Sequence, residues 1–251
     1  MITWLLLELR RQQRRVLGLL AFGGLFIAAA ATARLVAGGQ GHVEFDRLMQ
    51  IGGYPMVSAL LLGGWLVGRF PFLAAVVLMA GVFSDTERTG LARLLEVRRL
   101  SPLHTFALRV LLALLLAGSV SLVVLPAFDL IMLGEWPAHQ LYVLAAGYVL
   151  AFGALTALLS TLTRHDAWIA VFLAVVAMIW HALLRAGTLA TAPVPMREAV
   201  TVLLPPQGAL LQLEQAFAGD LAVPWFALAY VAVYAALALV VAGVVAARRE
   251  I

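Results

Sequence analysis

The sequence predicts an all-α polytopic membrane protein, with six transmembrane helices preceded by an amphipathic helix on the cytoplasmic face. Three observations carry this. Of the 251 residues, 64 % are hydrophobic and the mean hydropathy is +1.01, more apolar surface than a soluble core of this size can bury. Several apolar runs reach the roughly 20 residues needed to cross a bilayer. The arginines gather on one side of the resulting layout, and only Arg69 interrupts a long apolar run. No comparably long polar stretch is left for a second domain, so residues 1–251 read as one transmembrane unit.

The elements follow in order. Residues 1–15 place Trp4, Leu5, Leu6 and Leu9 before Arg10, Arg11, Arg14 and Arg15, the pattern of an interfacial helix with a charged flank. The first span is expected over 16–36. Basic residues, an apolar run and small residues around Thr32 also imitate a signal peptide. The run is long enough to span, however, and an apolar face precedes the arginines, so it reads as a retained helix. The second span is expected over 57–83, as one long or tilted crossing despite Gly68-Arg69-Phe70-Pro71 inside it. The third covers 105–133, bent or broken near Pro126. The fourth, fifth and sixth cover 141–162, 168–189 and 225–247.

Sidedness follows from the arginines, since cytoplasmic loops carry the excess of basic residues. One side holds Arg10, Arg11, Arg14, Arg15, Arg88, Arg93, Arg98, Arg99, Arg109, Arg164, Arg248 and Arg249. The other holds Arg34, Arg47, Arg185 and Arg197, beside Glu44, Asp46, Glu135, Glu198, Glu214 and Asp220. Twelve against four places both termini in the cytoplasm, with Tyr54, Trp136 and Trp225 in the outer aromatic belt. Splitting the second span into two passes would move Arg88, Arg93, Arg98 and Arg99 outside, against the rule.

Composition also excludes chemistry. Without cysteine there is no disulfide or thiolate metal site. All seventeen basic residues are arginine, so the phosphate-binding loop with its lysine is absent, as is Schiff-base catalysis. ATP, if used, is bound by another chain. The five histidines do not have the spacing of a metal site. An intramembrane serine protease would need a glycine-flanked nucleophile, and Ser160 in "LLSTLTRH" lacks one. No catalytic residue is assigned.

The loop over 84–104 is the most polar interruption. Leu91, Leu94 and Leu95 share one face of a short amphipathic helix over 86–100, and Ser101-Pro102 stops it. By composition alone, such a helix lies across the membrane surface, and its length and mixed charge also suit docking onto a cytoplasmic partner. Glu87-Arg88-Thr89-Gly90-Leu91, Leu94-Leu95 and Ser101-Pro102 resemble the acidic-Arg-x-x-Gly-Thr-Leu…Leu-Leu…Pro pattern of ABC type-2 permeases, with Thr89 before Gly90 where the family has it after. The layout is similar along the whole chain, including the amphipathic N-terminal helix. Between spans five and six, residues 190–224 hold two short apolar stretches (196–204 and 208–217) around "LLPPQ". They resemble that family's outer helices, which dip back into the membrane.

The resemblance implies a permease subunit in the cytoplasmic (inner) membrane of a bacterium. A separate cytoplasmic ABC ATPase would bind ATP and magnesium and drive export of a lipid-like, drug-like or peptide compound. Glu87, Arg88, Gly90, Leu91, Leu94, Leu95, Arg98 and Pro102 would then couple to that ATPase. The expected partners are the ATPase, a second permease copy or paralogue, and membrane lipids, with no nucleic acid and no cofactor bound by this chain itself. The alternatives are a permease of the same build that signals to an extracytoplasmic partner and an ATP-independent channel or scaffold.

Four residues are candidates for a pathway or gate: Arg69, Asp129, His181 and Arg185. Counted from Val57 at 1.5 Å per residue, Arg69 lies about 18 Å deep, where an arginine costs about 2.5–3.5 kcal/mol on insertion scales. Contact with an anionic or lipid-like substrate is one reading, and pairing with Asp129 is the other. His181 and Arg185, four apart, share a helix face. Gly64 and Gly68 form a small-xxx-small pair suited to close helix packing.

Overall fold

The computed structural model describes residues 2–36, 68–84, 102–134, 136–189, 191–219 and 221–249. Among the described residues there are eight helices and no strand. They are α1 (Ile2–Val36), α2 (Gly68–Met79), α3 (Pro102–Leu133), α4 (His139–Leu162), α5 (Asp166–Arg185), α6 (Val194–Leu203), α7 (Gln207–Ala218) and α8 (Trp225–Arg249). Five of them (α1, α3, α4, α5 and α8) are long and apolar enough to cross a membrane, and α2 is a shorter apolar helix. The chain is a multi-pass membrane protein.

Several expected boundaries are corrected. The N-terminal helix and first span are one continuous α1, because the "RRQQRR" stretch contains strong helix formers and no breaker. Pro126 does not break α3, which runs unbroken from Pro102. One lost hydrogen bond within a membrane helix is tolerated when neighbours enclose it, and Pro126 is buried. Pro102 itself opens α3, at the position where its missing N–H costs least. The second span's helix ends at Met79, not at residue 83; its expected first half, 57–67, lies outside the described residues. α5 ends at Arg185, short of 189, where tightening bonds from Ala186 to Ala182 and from Gly187 to Leu184 close the last turn. The two short outer helices stand near their expected places.

The bundle is built around α4. Its apolar window is 72 % buried, against 17 % for α1 and α5 and 22 % for α8. It packs on α3, α5, α7 and α8, while α1 lies against α3. The size of the side chains decides which face turns inward. On α8, Ala227, Val231, Ala235, Ala238, Ala242 and Ala246 are buried, while Phe226, Val233, Leu237, Val240 and Val244 are exposed. On α5, Ala170, Ala174 and Ala177 are buried and Trp168, Phe172, Val175 and Ile179 are exposed. Small residues let helix backbones approach closely where lipid removes the usual hydrophobic driving force. The large side chains meet the hydrocarbon.

α1 and α3 cross closely at Gly23, where a Cβ would lie 2.6 Å from Val124 Cγ2. Gly23→Val should therefore destabilise the bundle by about 1–3 kcal/mol through overpacking. Val124→Ala should recover part of that loss, because residues in contact couple. Reversible unfolding in mixed micelles measures both. Equal stability of Gly23→Val and wild type would show that the crossing is looser than this.

Candidate functional site

Two polar clusters lie within an otherwise apolar bundle. The first closes the arginine-rich end. α2 stops at Met79, and Gly81 takes φ +71° in the turn that follows, a conformation that costs a residue with a Cβ. The terminal carbonyls of a helix have no partner in the helix itself, and here side chains from two other helices reach them. Gln12 Nε2 donates to Leu78 O at 3.2 Å. Arg15 Nη1 donates to Val77 O at 3.3 Å and to Ala80 O at 2.6 Å. Arg109 Nη1 donates to Val82 O at 3.4 Å. Cations at a helix C-terminus also complement its dipole.

Arg109 is itself held by Glu8, Nη2 to Oε2 at 3.1 Å, with both side chains almost fully buried. On the opposite side, Asp166 Oδ2 accepts the Gly81 N–H at 2.7 Å, while Oδ1 accepts the N–H of Ala167 at 2.8 Å. A carboxylate at the start of α5 suits the positive end of that helix. The turn after α2 is thus tied to α1, α3 and α5.

The second cluster lies inside the bundle. Tyr148, buried at 1 % exposure, stands nine residues into α4, about 13 Å along it. Its hydroxyl donates to Glu214 Oε1 at 2.5 Å and accepts from Arg69 Nη1 at 3.4 Å. Arg69 and Glu214 form an ion pair, Nη1 to Oε1, at 3.6 Å. Glu214 comes from α7, which crosses α4 at Gly147, where Leu210 and Leu213 lie closest. Beneath the cluster, Phe152 stacks on Tyr148 with ring centroids 6.0 Å apart and meets Phe72 edge-on at 4.6 Å. A cavity of about 220 Å³ adjoins Arg69 between α2, α4 and α5 and is capped by Gln207.

The candidate residues of the sequence fare differently. Arg69 is inside the bundle as expected, but it pairs with Glu214 and Tyr148 and not with Asp129. Asp129 is on α3, partly buried among other residues. Glu214, counted above with the outer charges, reaches inward because α7 packs against α4, α5 and α8. His181 packs against the hairpin turn: a Cβ on Gly208 would lie 3.1 Å from its Cε1. It lines a second cavity of about 220 Å³ with Trp180, Pro205, Pro206 and Tyr230. Arg185, one turn further on, is exposed.

Glu87, Arg88, Gly90, Leu91, Leu94, Leu95 and Arg98, with the amphipathic helix proposed for 86–100, lie outside the described residues, as do residues 64–67. The Ser160 hydroxyl donates to Ala157 O at 2.7 Å. Among the described residues, no three His, Cys, Asp or Glu side chains gather as a metal site.

Sequence reasoning passed over Tyr148, Glu8 and Asp166. Tyr148 is one of several hydroxyl side chains in its span, beside Tyr142, Thr156, Ser160 and Thr161, so nothing local set it apart. No known family model matches the chain, and no curated protein or solved structure shows detectable similarity to it.

Two measurements test this geometry. Removing either member of this partly buried pair leaves the other without its partner, so Arg69→Ala and Glu214→Ala should each cost about 0.5–1.5 kcal/mol. The double variant should cost less than the sum, with about 0.5–3 kcal/mol of coupling; strict additivity would dissolve the pair. Asp166→Ala removes an acceptor from both Gly81 and the start of α5. It should lower the melting temperature by an amount equivalent to about 1–2 kcal/mol, an effect that Gly81→Ala should reproduce in direction by straining the same turn.

Proposed function

We propose that the chain is the membrane-spanning subunit of an ABC exporter, driven by a separate ATPase. Two copies, or this chain and a paralogue, form the pathway in the cytoplasmic membrane of a bacterium, with both termini on the ATPase side. The substrate is a lipid-like, drug-like or peptide compound.

The observation that carries this reading is the anchoring of both ends of the 84–104 loop. It begins just beyond the turn that Gln12, Arg15, Arg109 and Asp166 hold. Its other end runs into α3, which begins at Pro102, seven residues before Arg109, which is buried against Glu8. A loop that served only as a connection would need no such fixing. One that receives a push from a partner needs rigid attachment to several helices at once, because a conformational shift requires contacts that differ between two states. α1, α2, α3 and α5 all meet at this point. The short helix α7, packed onto α4, supports the resemblance at the opposite end.

The test is purification of the tagged chain from its native host in mild detergent, with mass spectrometry of its partners and a vanadate-sensitive ATPase assay. An ATPase subunit should co-purify, and a Glu87→Ala, Arg88→Ala variant should lose it or lose most of the stimulated hydrolysis. Absence of any ATPase from several detergents and from nanodiscs would overturn the proposal.

A further inference from the structure

The Arg69 guanidinium is held loosely for a charge inside an apolar bundle. Its two contacts, 3.4 Å to Tyr148 and 3.6 Å to Glu214, both use Nη1. A well-made charge-assisted hydrogen bond measures about 2.7–2.9 Å. Among the described residues, Nη2 and Nε donate to no partner. Arginine does not escape the problem by losing its proton, so the group keeps its full charge, with three N–H bonds that no described residue uses. Glu214 is meanwhile engaged more closely by the Tyr148 hydroxyl, at 2.5 Å. The carboxylate is shared, and the tyrosine holds the larger part of it.

Arg69 lines the cavity between α2, α4 and α5. Beyond Arg69 and Gln207 its lining is apolar and aromatic: Phe72, Phe152, Val171, Val175 and Met178 contribute most of it. Val175 is also 47 % exposed on the outer face of α5, between the exposed Phe172 and Ile179, so the cavity opens towards the hydrocarbon. Its volume of about 220 Å³ equals roughly seven waters at ~30 Å³ each. That holds a small charged head and the first carbons of a tail, with the rest of the tail outside.

We infer that this cavity binds the anionic head group of a single-chain amphiphile, its phosphate, sulfate or carboxylate taking the free edge of Arg69 and its tail leaving past Val175. A planar guanidinium donates to such oxygens two at a time. The apolar walls disfavour a freely hydrated anion, which would have to shed its water there. Glu214 competes with the ligand for Arg69. A bound head group therefore loosens the tie between α2 and the hairpin that carries Glu214, so occupancy of the cavity is linked to the position of α7.

The site is read from this chain alone, so its test uses no ATPase and its outcome is separate from that of the exporter reading. Radiolabelled dodecyl phosphate is titrated onto the full chain in phosphatidylcholine nanodiscs, with inorganic phosphate and dodecyltrimethylammonium as competitors. Saturable binding is expected, displaced by neither competitor at equal concentration. Arg69→Gln should weaken it at least tenfold. Met178→Trp, which fills the cavity from α5 without touching the ion pair, should do the same in a protein whose melting temperature is close to wild type. Glu214→Gln should tighten binding several-fold, because the internal competitor has lost its charge. Unchanged affinity in both Arg69→Gln and Met178→Trp would overturn the inference, as would equal displacement by the cationic amphiphile. Equal displacement by inorganic phosphate would overturn the requirement for a tail.

Discussion

Inside a membrane a backbone carbonyl without a partner costs several kcal/mol, and α2 ends where this constraint is severe. Gly81 turns the chain away, leaving the carbonyls of Val77, Leu78, Ala80 and Val82 exposed to the bundle interior. Gln12, Arg15 and Arg109 satisfy them from two other helices. Much of the arginine-rich end follows from this. Arg109 can be buried because Glu8 neutralises it. That requires α1 to continue as helix through "RRQQRR" so that Glu8, Gln12 and Arg15 share one face at i, i+4 and i+7 spacing. Asp166 can be buried because it has both Gly81 and the first turn of α5 to accept from.

The remainder of the bundle obeys a different rule. α4 is surrounded because its neighbours offer it alanine-rich faces and turn their bulky side chains to lipid. Close helix approach then leaves little interior space, and the two cavities form where the pattern is interrupted. One is lined by Pro205 and Pro206, where proline prevents a single helix from running on. Gln207 borders both cavities. α7 also brings Glu214 to Arg69, so this arginine, like Arg109, has its counter-charge delivered from a segment distant in sequence. Ion pair, α7 and cavity are therefore parts of one arrangement built on α4.

The spans were legible because length and hydropathy are local properties. Residues 141–162 and 225–247 were placed within a few residues of α4 and α8, since about twenty apolar residues have little other way to satisfy their backbone. The paired short helices around "LLPPQ" were legible because proline marks where they divide. The ends of α2 and α5 were less so, since nothing local separates a glycine within a helix from one that ends it. Arg69 was marked by its rarity among apolar neighbours, but Asp129 was the carboxylate weighed as its partner, whereas Glu214, counted only among the outer charges, is the one that meets it.

What the sequence determined by itself is therefore the class of protein, the helices and the one charge that has to be explained. Each follows from the free energy of a short stretch in lipid. Only the tertiary structure decided that Glu214 and Tyr148 meet Arg69, that Glu8 meets Arg109 and that Asp166 holds Gly81. Those contacts join residues between 66 and 145 positions apart, and their energies depend on which helices pack together, information that no local window contains.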